Sequence, residues 1–231
     1  MIRAIVFDFD GVIANTEPLH FRALSDVLQE EGVALSREDY YGRYLGYDDV
    51  GAFGAIAADR TLQWDAGRVS ALVARKSALL ESLERSGSVL FPGATAAIRR
   101  MADACPLAIA SGALRGEIVR VLDREGLTTF FPVIIGAEDT PKSKPAPEPY
   151  LRALEQVSAS VRGSLAPADC LAIEDSTWGL ESARAAGLRT VAITHTYPAD
   201  TLRSAADAVI GHLDQLTLDL LLKFVGSRTN L

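Results

Sequence analysis

The chain has 231 residues, 48% of them apolar and 23% charged, which supplies ample core for one large domain or for one domain with an insertion and excludes disorder. Its formal net charge is −7, and neither the 15–87 segment nor the remainder is basic, so nucleic acid is excluded as a partner class. The N-terminus "MIRAIVFDFDG" has no long apolar run, no stretch is long and apolar enough to span a bilayer, and Cys105 and Cys170 stand far apart without metal-type spacing. The expectation is a cytoplasmic protein with buried, reduced thiols and no membrane partner.

In chain order, the first apolar run is Ala4 to Phe7. Five more short runs follow at Leu107 to Ala110, Val133 to Ile135, Leu171 to Ile173, Val191 to Ile193 and Ala208 to Ile210. Most are rich in β-branched residues, as strands buried on both faces of a parallel sheet are. Helical spacing fills the intervals at 93–103, 115–125, 147–157 and 177–186, with Gly126 and Gly187 where C-terminal caps belong. The alternation predicts a doubly wound α/β sheet. Residues 15–87 interrupt it. Phe21, Leu24 and Leu28 form one helical stripe there, and Val69, Leu72, Val73, Leu79, Leu80 and Leu83 form another. The predicted organisation is therefore an α/β core of 1–14 and 88–231 with an all-helical insertion at 15–87. "Phe91-Pro92-Gly93" marks the return.

Open parallel sheets bind ligands beyond the carboxyl ends of their strands. The residues there are Asp8, Asp10 and Gly11 after the first run, and Ser111 and Gly112 after the second. Lys144 and Pro145 follow the third, and Glu174 and Asp175 the fourth. Asp8 and Asp10, two apart, point to the same side, and close carboxylates repel unless a cation sits among them. With Asp175 they form a hard oxygen donor set that suits Mg²⁺. Ser111 offers a hydrogen bond to a phosphoryl oxygen, and Lys144 a point charge. A metal and a lysine opposite a carboxylate nucleophile suit phosphoryl transfer through an aspartyl-phosphate.

The segments "DFDGV" (8–12), "ASG" (110–112), "SKPAPEPY" (143–150) and "IEDS" (173–176) resemble, in order and spacing, the four motifs of the haloacid dehalogenase-like superfamily. The insertion after the first motif resembles the helical cap of the subgroup containing phosphoglycolate phosphatase and β-phosphoglucomutase. The resemblance implies Asp8 as nucleophile, and Asp10 as general acid/base with its carbonyl on the metal. It implies Ser111, Gly112 and Lys144 around the phosphate and Asp175 on the metal. Glu174 is either a further ligand or the partner that steers Asp175. Thr16, His20 and Lys76 match hinge and substrate positions of the cap. Lys76 stands out on its own, because a lysine on an apolar stripe is costly unless it faces a cleft or snorkels.

The expected activity is a Mg²⁺-dependent phosphatase acting on a small phosphorylated metabolite, such as a sugar phosphate or phosphoglycolate, by a monomer or weak homodimer. A β-phosphoglucomutase-like mutase is the alternative. It needs a second anion site, for which Arg115 is the candidate, and the cap arginine of the mutase has no counterpart around Tyr47 and Asp48. A non-catalytic phospho-accepting module is more remote. Asp48 and Asp49 read as a solvated face, Thr16 as a helix cap or hinge, His195 and His212 as surface loop residues, and Trp178 as packing.

Overall fold

The computed structural model describes residues 2–45, 47–85, 87–159, 161 and 163–224. Six strands form one sheet in the order β3-β2-β1-β4-β5-β6. They are β1 (Ala4–Phe7), β2 (Leu107–Ala110), β3 (Val133–Ile135), β4 (Cys170–Glu174), β5 (Arg189–Ile193) and β6 (Ala208–Ile210). All pairings are parallel, and Phe7 stands opposite Ile109 on one side and Ile173 on the other. The predicted strands are thus all present, with β4 and β5 extended at their ends. β1 is central, with β2 on one flank and β4 on the other. This reversal of strand order opens a crevice at its carboxyl end.

Alternation along the strands sorts side chains by size. Ala4, Val6, Ala108, Ala110, Cys170 and Ala172 share one buried cluster with Tyr150, Ala153, Leu154 and Val157 of α7 (Glu148–Ser158) and Ala183 of α8 (Thr177–Ala185). Small residues on that face let the helices approach closely, while Ile5, Phe7, Ile109 and Ile173 on the opposite face are also fully buried. Helices α5 (Ala94–Ala102) and α6 (Arg115–Arg124) fall where the sequence pattern puts them. Short α9 (Ala199–Leu202) and α10 (Leu218–Lys223) complete this part. Cys105 and Cys170 are buried free thiols, which burial pushes up to about 11 and about 12.

Contacts divide the chain into two units, one running to Asn15 and resuming at Val89, the other Thr16–Ser88. The second unit is helical throughout: α1 (Glu17–Glu30), α2 (Arg37–Asp39) running into a π-helical turn at Tyr40–Tyr44, α3 (Asp49–Asp59) and α4 (Ala66–Glu84). Ser36, Asp48 and Asp65 cap α2, α3 and α4 by accepting from Asp39, Gly51 and Arg68 backbone N–H groups. Leu24, Leu28, Phe53, Ile56 and Leu72 form its core. Among the described residues no helix is long and apolar enough to cross a membrane.

Candidate active site

Most candidates of the α/β unit sit at or just past a strand end, and Lys144 lies in the longer connection that follows β3. β1 delivers Asp8, whose N–H donates to Ile173 O at 2.9 Å and so continues the ladder one residue past the strand. The chain then turns at once. Gly11 N–H donates to Ala14 O, and Gly11 adopts φ +77. A Cβ there would lie 1.9 Å from Asp175 Oδ2, so only glycine lets the loop pass so close to that carboxylate. Ser111 follows β2 and is buried, its N–H donating to Ile135 O and its hydroxyl accepting from Ala113 N–H. Space around Gly112 is open.

Lys144 lies inside the centre. Its Nζ is 2.9 Å from Asp8 Oδ1 and 2.6 Å from Glu174 Oε1, with the side chain 8% exposed. Burial pulls its pKa down, but Asp8 and Glu174 outweigh burial and hold the ammonium charged. Glu174 is fully enclosed. Its Oε1 also accepts from Tyr150 OH at 2.7 Å, while Oε2 accepts from Asp175 N–H and Ser176 OH at 3.2 Å each. Four donors occupy this carboxylate, which fits it to hold Lys144 in place. Ser176 also caps α8, accepting from Gly179 N–H at 3.1 Å. A Cβ on Gly179 would lie 2.1 Å from the Glu174 carboxylate, so the first turn of α8 rests directly on it.

Carboxylate oxygens of Asp8, Glu174 and Asp175 lie within 4.8 Å of one another. Three acids face one ammonium. Burial, then Glu174 and Asp8, raise the Asp175 pKa well above the carboxylate range, while Thr196 opposes this with a hydrogen bond. All the clustered donors are hard oxygens, and their negative charge exceeds what Lys144 neutralises. The cluster therefore fits a hard divalent cation such as Mg²⁺.

The cap candidates divide differently. Lys76 is 2% exposed, with Nζ 2.8 Å from His20 Nδ1 and 2.5 Å from Asp49 Oδ1. It therefore does not snorkel, and Asp49, still about one-third exposed, is its counter-ion and not merely a solvated acid. Asp48 is a helix cap. Thr16 is buried at the start of α1, and its side chain makes no capping bond. Glu17 accepts from Tyr40 OH, and burial raises the Glu17 pKa despite that bond.

Two expectations need correction. Arg115 does not offer a free cation, because its Nη1 donates to Ile134 O at 2.5 Å and lies 3.8 Å from Asp139 Oδ2. Its own backbone N–H is taken by Glu138 at 3.2 Å. His195 is not a surface loop residue, since its Nδ1 lies 2.9 Å from Gly11 O and its ring stacks on Phe91 at 3.8 Å. Its partners are remote in sequence, so no spacing announced them. Tyr150 and Thr196 were also missed. Tyr150 sits within the "SKPAPEPY" segment, and its place one turn into a helix after Lys144 was the available signal. Trp178 packs edge-on against Tyr197, in line with the packing expectation.

The model of the haloacid dehalogenase-like hydrolases matches residues 5–193. The protein CbbY of Rhodobacter capsulatus is 34% identical over 216 residues, covering 89% of this chain and 91% of that protein. A phosphoglycolate phosphatase of the same organism is 30% identical over 219 residues, covering 89% and 92%. Among solved structures, CbbY from Rhodobacter sphaeroides in complex with phosphate superimposes with a TM-score of 0.81 at 25% identity, covering 95% of this chain and 98% of that one. With strand order, motif positions and relatives in agreement, the chain is an enzyme of the haloacid dehalogenase-like hydrolase family, in the phosphatase-bearing branch whose first motif is followed by a helical insertion.

Proposed function

We propose that the protein is a Mg²⁺-dependent phosphatase of small phosphomonoesters, with a sugar phosphate or phosphoglycolate-like acid as substrate and an aspartyl-phosphate on Asp8 as intermediate. The observation that carries this reading is the Asp8–Lys144–Glu174–Asp175 centre at the carboxyl ends of β1 and β4. Lys144 draws one Asp8 oxygen, and the other attacks phosphorus. Asp10 protonates the departing alkoxide, then takes a proton from the water that attacks the aspartyl-phosphate, releasing phosphate and restoring Asp8. Ser111 donates to a phosphoryl oxygen. Asp8, the Asp10 carbonyl and Asp175 would hold Mg²⁺, with Glu174 orienting Lys144 beside them. When bound, the cation supplies positive charge to the phosphoryl group.

Within this reading the helical unit serves as a cap, with Thr16, His20 and Lys76 as its substrate-side residues. A mutase must hold a second phosphate. The Arg115 guanidinium is engaged with Ile134 O and Asp139, which supports hydrolysis over isomerisation.

The test is inorganic phosphate release across phosphosugars, phosphoglycolate and nucleotides, with Mg²⁺ or EDTA and with Asp8→Asn alongside. Metal-dependent release that Asp8→Asn abolishes is the expected result. No release, together with isomerised product when a sugar bisphosphate is added, would replace the phosphatase by a mutase.

A further inference from the structure

The loop that follows Asp8 turns tightly, with the Val12, Ile13 and Ala14 N–H groups all donating to Phe9 O. Gly11 sits at φ +77, a region glycine enters and leaves at little cost, and its peptide directly follows Asp10. Its N–H is bonded within the loop, to Ala14 O, while its carbonyl is met by a side chain from outside. That side chain is His195, two residues past β5. Its Nδ1 is 2.9 Å from Gly11 O, and since a carbonyl only accepts, Nδ1 carries the proton. Burial, with His212 nearby, lowers the His195 pKa, in keeping with a neutral ring.

The same ring stacks on Phe91, with planes 20° apart. Phe91 belongs to the returning chain. Its N–H donates to Ile13 O at 3.0 Å, Leu90 pairs with Ala14, and Asn15 N–H donates to Val89 O at 2.7 Å. One imidazole thus touches both the outgoing and the returning strand where they lie side by side. Its chain neighbour Thr196 bonds Asp175, so this short segment reaches the centre at two points.

We propose that His195 is a positioning residue for the nucleophile loop: its Nδ1–H pins the Gly11 carbonyl while its ring braces Phe91, and together these hold Asp10 where it can protonate a leaving group. The inference rests on the reading of Asp10 as general acid. Loss of the bond lets the Gly11 peptide rotate and carries Asp10 out of line. The cost then falls on the step that needs a proton.

Two esters separate this role from general packing. An alkyl phosphate leaves as a basic alkoxide and needs Asp10. p-Nitrophenyl phosphate leaves as a stable phenolate and needs it little. The kcat/KM of each reports transfer to Asp8, the step in which the leaving group departs. For His195→Phe and His195→Ala we expect a loss of about tenfold or more on the alkyl ester and less than about threefold on the aryl ester. His195→Asn, whose amide nitrogen takes the place of Nδ1, is expected to stay within about threefold of wild type on both. Should the Phe and Ala variants fail to fold, Phe91→Leu carries the test, with the same ester-selective loss at smaller size.

Equal losses on both esters, no loss in any variant, or an Asn variant as impaired as Ala would each overturn the proposal. A wild type inactive on both esters would instead overturn the proposed function, and this inference with it.

Discussion

Both units bury charge, and they do so in opposite ways. In the α/β unit three carboxylates surround one lysine, and burial, then the neighbouring Glu174 and Asp8, raise the Asp175 pKa. In the helical unit the buried Lys76 pairs with the partly exposed Asp49 and with His20, and Glu17 also acts on it, so its ammonium is answered inside the unit. A buried cluster in which acids outnumber ammonium groups is suited to receive a cation, whereas a buried lysine that already has its acids is not. Burial of a charged residue therefore does not by itself mark a cation site; the acid left over after pairing does.

The sharpest way to break this contrast is at Asp8. Asp8→Asn is expected to lower turnover by about 10⁴-fold or more while the circular dichroism spectrum stays native. Retained turnover would mean that the surplus charge serves no reaction. In the helical unit, Lys76→Met is expected to destabilise by about 1–2 kcal/mol in urea unfolding, because Asp49 and Glu17 lose their cation while solvent still reaches Asp49. The double variant Lys76→Met/Asp49→Leu should recover part of that loss, and failure to recover any would show that Asp49 is not what makes Lys76→Met costly.

Cation binding probes the unbalanced side without mutation. Mg²⁺ at about 100 times its Kd is expected to stabilise the protein by about 2.7 kcal/mol. Chelation should remove both that gain and turnover, and Asp175→Asn should weaken both. Absence of any shift in Tm would sever the acidic cluster from metal binding.

The smallest effect concerns Glu17. Burial raises its pKa in the folded protein, so across the window above the unfolded carboxylate value the folded state binds more proton than the unfolded state. Its contribution to stability is therefore present at low pH and lost as pH rises through the folded value. Glu17→Gln keeps an acceptor for Tyr40 and should flatten that part of the stability–pH curve. A slope unchanged by the substitution would show that Glu17 titrates normally.

The sheet and its centre were legible because of where information sits in such a fold. Buried parallel strands are short apolar runs, and Asp8, Ser111, Lys144 and Asp175 each follow one of them. What stayed hidden depends on pairs far apart in the chain. His195 and Gly11 are separated by 184 positions, and neither flanks a motif that names the other. Asp49 looked like a surface acid until α3 and α4 brought it to Lys76, because helix patterns give faces and not the partners across them. Tyr150 lay within a recognised segment, yet only the close seat of α7 on the sheet turns its hydroxyl to Glu174.

The central place of β1 carries a consequence for how the protein is made. Its two flanking partners, Leu107–Ala110 and Cys170–Glu174, lie beyond the helical unit and on the far side of much of the chain. A ribosome therefore releases β1 long before either neighbour exists. Both edges of this apolar strand stay open until β2 emerges, and one stays open until β4 follows; such edges are where aggregation begins. The helical unit, whose contacts are local, can form in that interval, so synthesis order favours a folded insertion held on an unfinished sheet.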